Sequence, residues 1–195
     1  MTDPLIEQDD ASTPLTQEEL DGLIPSYITL RSELNEAEQS NIIDAEEWAF
    51  NQKRDVLSEK FLDNLHKRMF NRVWKWAGMH RNTGKNIGVD AYRIPIELRQ
   101  LLDDVRFWAE NATFPPDEIA VRFHHRLVWI HLFPNGNGRH ARLAADLLLA
   151  ALDQPRFTWG RENLVNANET RRSYIDALRS ADIHDYQPLF EFVRS

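Results

Sequence analysis

The chain of 195 residues contains no cysteine. Disulfides and thiolate metal sites are therefore excluded, and the composition suits a reducing compartment. It has only seven glycines, so a pair of them close together stands out. It has no surplus of positive charge: 31 acidic against 23 basic residues give a formal net charge of -8. A general nucleic-acid binder is normally basic, and that class loses weight. No long apolar run is present. The strongest, "LAADLLLAAL", is too short and too interrupted to span a bilayer. The opening "MTDPLIEQDD" lacks the basic and apolar regions of a secretory leader. A cytoplasmic protein with no membrane partner and no nucleic-acid partner is the expectation.

What is present is helical periodicity. Residues 1–25 are acidic, with Pro4, Pro14 and Pro25, and read as an extended arm. Residues 26–56 read as an N-terminal helical segment, with Ser32 to Phe50 forming one bent helix or two short ones. Residues 57–195 read as the core. There Leu57, Phe61, Leu65, Met69, Val73 and Trp76 recur at three- and four-residue spacing, which predicts one long amphipathic helix stopped near Gly78. The segment "MHRNTGKNIGVDAYRIP" has the composition of a hairpin or flap at about 80–95. Leu98, Leu101, Leu102, Val105 and Trp108 restore the helical period. Pro115 and Pro116 open a helix whose buried face is Ile119, Phe123, Leu127 and Ile130. Further helices are expected to bury Leu143 to Ala151, then Leu164 to Leu178, then Leu189 to Val193. The fold class is all-α with one small β-hairpin flap.

The chemistry concentrates in "HLFPNGNGRHAR", His131 to Arg142. Pro134 ends one helix. Gly136 and Gly138 remove side chains from a tight loop, letting backbone N–H groups converge. A new helix starts there, and a helix N-terminus binds anions through its free donors and its dipole. Arg139 and Arg142 are unfavourable to that dipole unless a bound anion compensates them, and guanidinium suits phosphate oxygens. An imidazole beside a phosphate cradle is a natural general base for a hydroxyl. His124 and His125 could suggest a metal with His131 or His140. No H-E-x-x-H spacing supports one, so they read as core or solvated residues; His66, His80 and His184 receive no role. "GNGRHA" matches a loose dinucleotide pattern, but the preceding segment has helical period and no βαβ unit is evident.

The same stretch resembles the Fic family signature H-x-F-x-[D/E]-G-N-G-R-x-x-R, with seven of eight defining positions present in order. "VWKWAGMHRNTGKNIGVDAYRIP" resembles the flap segment of that family, and "RRSYIDALRSADIHDYQPLFEFV" its closing helices. "RSELNEAEQSNIIDAEEWAF" resembles the subgroup called mobile mystery protein B. The resemblance implies a Fic (Fido) fold and a protein adenylyltransferase, which moves AMP from ATP to a Ser, Thr or Tyr hydroxyl of a target protein, with Mg²⁺. By position it implies that His131 is the base and Phe133 the loop anchor. Gly136, Asn137 and Gly138 would cradle the α-phosphate, the Asn137 amide included. Arg139 and Arg142 would hold the outer phosphates. Ile87 and Gly88 of the flap would dock the target by strand addition. One position departs from the signature: Asn135 replaces the carboxylate that helps hold the metal. That leaves two alternatives, Doc-like transfer of a phosphate or other phosphate-linked group, and a catalytically weak nucleotide-binding module. Family members often carry an inhibitory glutamate, and here Glu33, or alternatively Glu36, is expected to pair with Arg142.

Overall fold

A computed structural model describes residues 15–160 and 167–195. Among the described residues eight α-helices follow one another: α1 Gln17–Leu20, α2 Arg31–Phe50, α3 Glu59–Phe70, α4 Ile94–Glu110, α5 Pro116–Ile130, α6 Asn137–Ala151, α7 Ala167–Asp182 and α8 Gln187–Arg194. Local signals explain most starts and stops. The Ser58 hydroxyl accepts from the Phe61 N–H at 3.4 Å and caps α3. Lys67 and Arg68 occupy the last turn of α3, where cations suit the helix dipole. Pro116 stands at the start of α5, with Asp117 and Glu118 in its first turn.

The antiparallel pair α5 and α6 forms the centre. One side of it (Ile119, Phe123, Leu127, Ala141, Ala144) faces the main core built with α2, α3 and α4. The other side (Ala120, Val121, Ala145, Leu149) faces a second cluster with Phe157, Trp159, Ala177, Leu189 and Val193 under α7 and α8. A pair buried on both sides must carry small and apolar residues around its circumference, and the sequence of α6 does. Trp129 sits partly exposed on α5, with the Arg126 guanidinium 4.4 Å from its ring centre.

Several expectations change. Ser32 to Phe50 belongs to one 20-residue helix, α2. The long helix expected from Leu57 ends at Phe70, because the following segment pairs with residues 22–24: Ile24 N–H donates to the Val73 carbonyl and Lys75 N–H to that of Gly22, both at 2.9 Å. Val73 and Trp74 therefore bury their side chains, and Trp76 part of its own, from a turn and not from a helix face. The described part of the acidic arm, residues 15–25, is folded onto the core. Thr16 and Glu19 close a capping box around α1, and Trp76 Nε1 donates to the Glu19 carbonyl at 3.0 Å. The expectation for Leu164 lies outside the described residues. The flap forms no paired strands among the described residues; an isolated bridge outside it joins Leu23 and Trp74. No described helix is long and apolar enough to cross a membrane.

Candidate active site

The turn between α5 and α6 opens into a cleft of about 420 Å³, lined from three directions. The turn itself contributes His131, Asn135, Gly136, Asn137, Gly138, Arg139 and Arg142. α2 contributes Arg31 and Asn35, and α7 contributes Thr170, Arg171, Tyr174 and Ile175. That volume falls in the range of small-molecule sites. No carboxylate lines the cleft among the described residues.

His131 ends α5 with its backbone in the left-handed region, φ 58 and ψ 65. Few residues other than glycine adopt this, and it costs of order 1–2 kcal/mol. Arg81 maintains the conformation. Its Nε donates to the His131 carbonyl at 2.6 Å, its Nη2 to the Ile130 carbonyl at 3.3 Å, and its backbone N–H to the Leu132 carbonyl at 2.9 Å. The same guanidinium holds the flap, through Nη1 to the Thr83 carbonyl at 2.8 Å and Nη2 to the Val89 carbonyl. These bonds explain why the flap is no hairpin: carbonyls that a cross-strand partner would use are turned onto one side chain. Gly88, at φ +95, touches His131; a Cβ on it would lie 2.5 Å from that of His131. Ile87 is about half exposed beside it. Further along, Lys85 Nζ pairs with Glu19 of α1 at 2.5 Å, both side chains largely buried.

Burial, and then the nearby Arg81 charge, push His131 from 6.5 down to about 4. The imidazole is neutral at pH 7, the form a general base requires. An arriving anion would raise its basicity, since an opposite charge favours the imidazolium.

The loop beyond is braced from beneath. Phe133 lies wholly in the core, its ring stacked 3.7 Å from that of His66. His66 accepts from the Gly78 N–H through Nδ1 at 2.9 Å, which leaves Nε2–H to donate to the Asn135 carbonyl at 3.0 Å. Burial holds His66 well below its ordinary range, so it stays neutral and can accept at Nδ1. Gly136 has φ +78, and a Cβ on it would meet the Phe70 ring at 2.6 Å. Only glycine fits there. Among the described residues no side chain caps α6, so its first-turn N–H donors at Asn137 to Arg139 are available to a ligand in the cleft.

Three expectations need correction. The Asn137 amide does not reach toward a phosphate. It is buried and braces the loop, accepting from Phe133 N–H at 2.9 Å and donating to the Phe133 carbonyl at 2.8 Å. Its contribution to an anion site is its main chain. Glu33 does not pair with Arg142. Its carboxylate caps its own helix, accepting from Thr29 N–H at 2.8 Å and Leu30 N–H at 3.0 Å, which holds it below the usual carboxylate range. Glu36 is exposed and forms no ion pair with Arg142. The carboxylate that does reach an arginine of the motif is Glu38: it accepts from Arg139 Nη1 and from Trp74 Nε1, each at 2.7 Å. Arg142 lies 5.3 Å from the Tyr174 ring centre and donates through Nε to the Gly138 carbonyl at 3.3 Å. Arg81, His66, Glu38, Arg31 and Asn35 carry no local signature, because each acts through a partner far away in the chain. Asn135 folds its side-chain oxygen onto the Gly136 N–H at 2.6 Å. With that oxygen engaged and no carboxylate in the lining, the residues do not fit a resident Mg²⁺.

The buried imidazoles also set an acid limit. His124 is lowered to about 3, His131 and His140 to about 4, and His66 and His125 are lowered as well, in each case chiefly by burial. Unfolded, each would protonate near 6.5. Between about pH 6.5 and 4 the unfolded chain therefore binds more protons than the folded one, so stability rises with pH across that window and is lost as pH falls through it. Thermal unfolding followed from pH 8 to pH 4.5 is expected to show a flat melting temperature above about 7 and a steep decline below 6.5. A melting temperature independent of pH down to 4.5 would contradict these buried neutral histidines.

Comparison with known proteins agrees with this geometry. Residues 56–149 match the model of the Fic/DOC family. The protein adenylyltransferase Fic of Aedes aegypti is 27% identical over 145 residues, covering 72% of this chain and 28% of that protein. The protein adenylyltransferase fic-1 of Caenorhabditis briggsae is 33% identical over 98 residues, covering 49% and 18%. The chain thus spans less than a third of the length of these relatives. Among solved structures, the BepC protein of Bartonella tribocorum with bound AMPPNP superposes with a TM-score of 0.68 at 17% identity, over 92% of this chain and 97% of that one. Fic-1 of Caenorhabditis elegans does so with a TM-score of 0.63 at 23% identity, over 89% and 50%. Fold, loop and sequence match converge, and the chain carries a Fic/DOC family domain across residues 56–149.

Proposed function

We propose that this chain is a protein adenylyltransferase that moves AMP from ATP to a hydroxyl of a target protein. The observation that carries the proposal is the juxtaposition, in one cleft, of a neutral imidazole, an uncapped helix start behind Gly136, and the guanidinium groups of Arg139 and Arg142. The relatives named protein adenylyltransferase and the AMPPNP-bound neighbour support ATP as donor.

In the reaction His131 accepts the proton of the target hydroxyl. The oxygen attacks the α-phosphorus, the bond from that phosphorus to the bridging oxygen breaks, and pyrophosphate leaves with the electron pair. Main-chain N–H groups of Asn137 and Gly138 receive charge on the α-phosphate, and the arginines receive it on the departing group. The flap around Ile87 and Gly88, pressed against His131, would align the target segment. Mg²⁺ would have to be held by the triphosphate and water, and no step above is drawn through it.

Incubation with ATP labelled at the α or the γ position tests the proposal. Retention of α label on protein, with γ label released, is expected. Retention of γ label alone would establish phosphate transfer instead, and binding without transfer would leave a nucleotide-binding module.

A further inference from the structure

We propose that Arg31 contacts the outermost phosphate of the bound nucleotide, so that α2 reads the length of the polyphosphate chain. This rests on the nucleotide reading above and extends it to a residue outside the loop. Arg31 and Asn35 lie one turn apart on α2 and line the same cleft as Arg139 and Arg142. Glu33, the acidic residue between them, is turned back onto Thr29 and Leu30. What α2 shows the cleft is therefore a cation and a neutral amide.

The charge balance calls for an anion of more than one charge. Arg139 is matched by Glu38 at 2.7 Å. Among the described residues no carboxylate pairs with Arg31 or Arg142, and both face a space of about 420 Å³. Two guanidinium groups sharing one cleft repel each other unless a multiply charged group lies between them. A terminal phosphate meets that requirement, and guanidinium binds its oxygens in a forked geometry. The α-phosphate is assigned to the N–H donors of the loop, so the groups farther along the chain are those that reach across toward α2. Asn35 supplies a further donor on the same wall. Arg31 also stands at the first position of α2, where a cation opposes the helix dipole. It contributes nothing to the stability of α2 there, so removing it should leave the fold intact.

The test is calorimetric titration of the full chain, wild type, Arg31→Ala and Arg31→Lys, with ATP, ADP and AMP. For Arg31→Ala a loss of about tenfold in ATP affinity is expected, the equivalent of about 1.4 kcal/mol for one charge-assisted contact. AMP affinity and melting temperature should be unchanged, and Arg31→Lys should retain part of the ATP preference. Equal ATP affinity in wild type and Arg31→Ala would overturn the assignment. So would an equal loss for ATP and AMP, which would mark a structural role. If wild type binds none of the three nucleotides, the nucleotide reading itself fails and this assignment with it.

Discussion

Replacement of His131 by alanine is expected to lower AMP transfer by about a hundred- to ten-thousand-fold, the usual contribution of a positioned general base, while ATP affinity stays within about twofold. The two effects separate because the phosphate donors belong to the loop and to α6, whereas the imidazole comes from the end of α5. The loop is braced independently of His131, through His66 on Asn135 and through the Asn137 amide on Phe133. Single-turnover transfer of α label, beside calorimetric ATP binding, measures both quantities. A variant that transfers at the wild-type rate would remove His131 as the base. The wild-type kcat/KM, which reports the free enzyme, should also stay independent of pH down to well below 6.5, because burial holds the free imidazole near 4. An acid limb in kcat/KM centred at 6.5 would show that the side chain is hydrated in the free enzyme.

Arg81→Met is expected to produce the largest loss of stability. Arg81 is buried, and its guanidinium serves the carbonyls of Ile130, His131, Thr83 and Val89. Methionine preserves much of the volume and leaves those acceptors without a donor. At about 1–3 kcal/mol for each unsatisfied buried acceptor, partly offset by water at the flap, a loss of about 3 kcal/mol is expected. For a chain of this size that is roughly 6–12 °C in melting temperature. Transfer should fall further than stability accounts for, because the left-handed turn that aims His131 loses its restraint. Amide exchange in residues 82–90 should accelerate. Arg81→Lys should be intermediate, since an ammonium cannot span four acceptors as the guanidinium fork does. An unchanged melting temperature together with unchanged flap exchange would show that the guanidinium does not clamp the two segments.

The helices were legible because periodicity and capping residues are local: Ser58, Pro116 and the apolar spacing of α5 and α6 all lie within the elements they define. The loop from His131 to Arg142 was legible for the same reason, since glycine, proline and arginine declare backbone shape and charge in their own positions. What stayed hidden depended on distant partners. The flap composition reads as a hairpin, yet Arg81 takes its carbonyls. The asparagine of the loop suggests a ligand donor, yet both ends of its amide meet Phe133. Glu33 has the type and place of an inhibitory residue, yet its carboxylate is taken by the bare N–H groups three and four residues before it. His66, assigned nothing from the sequence, was invisible because its two partners, Gly78 and Asn135, meet it only after folding.

The ion pair between Glu19 and Lys85 gives α1 a hold on the flap that touches His131. A protein that grasps α1 and draws it outward must separate two largely buried charges, and the separation slackens the loop lying over the imidazole. Occupancy of a remote surface and admission of a client polypeptide would then share one free energy, with Glu19 as the point of leverage.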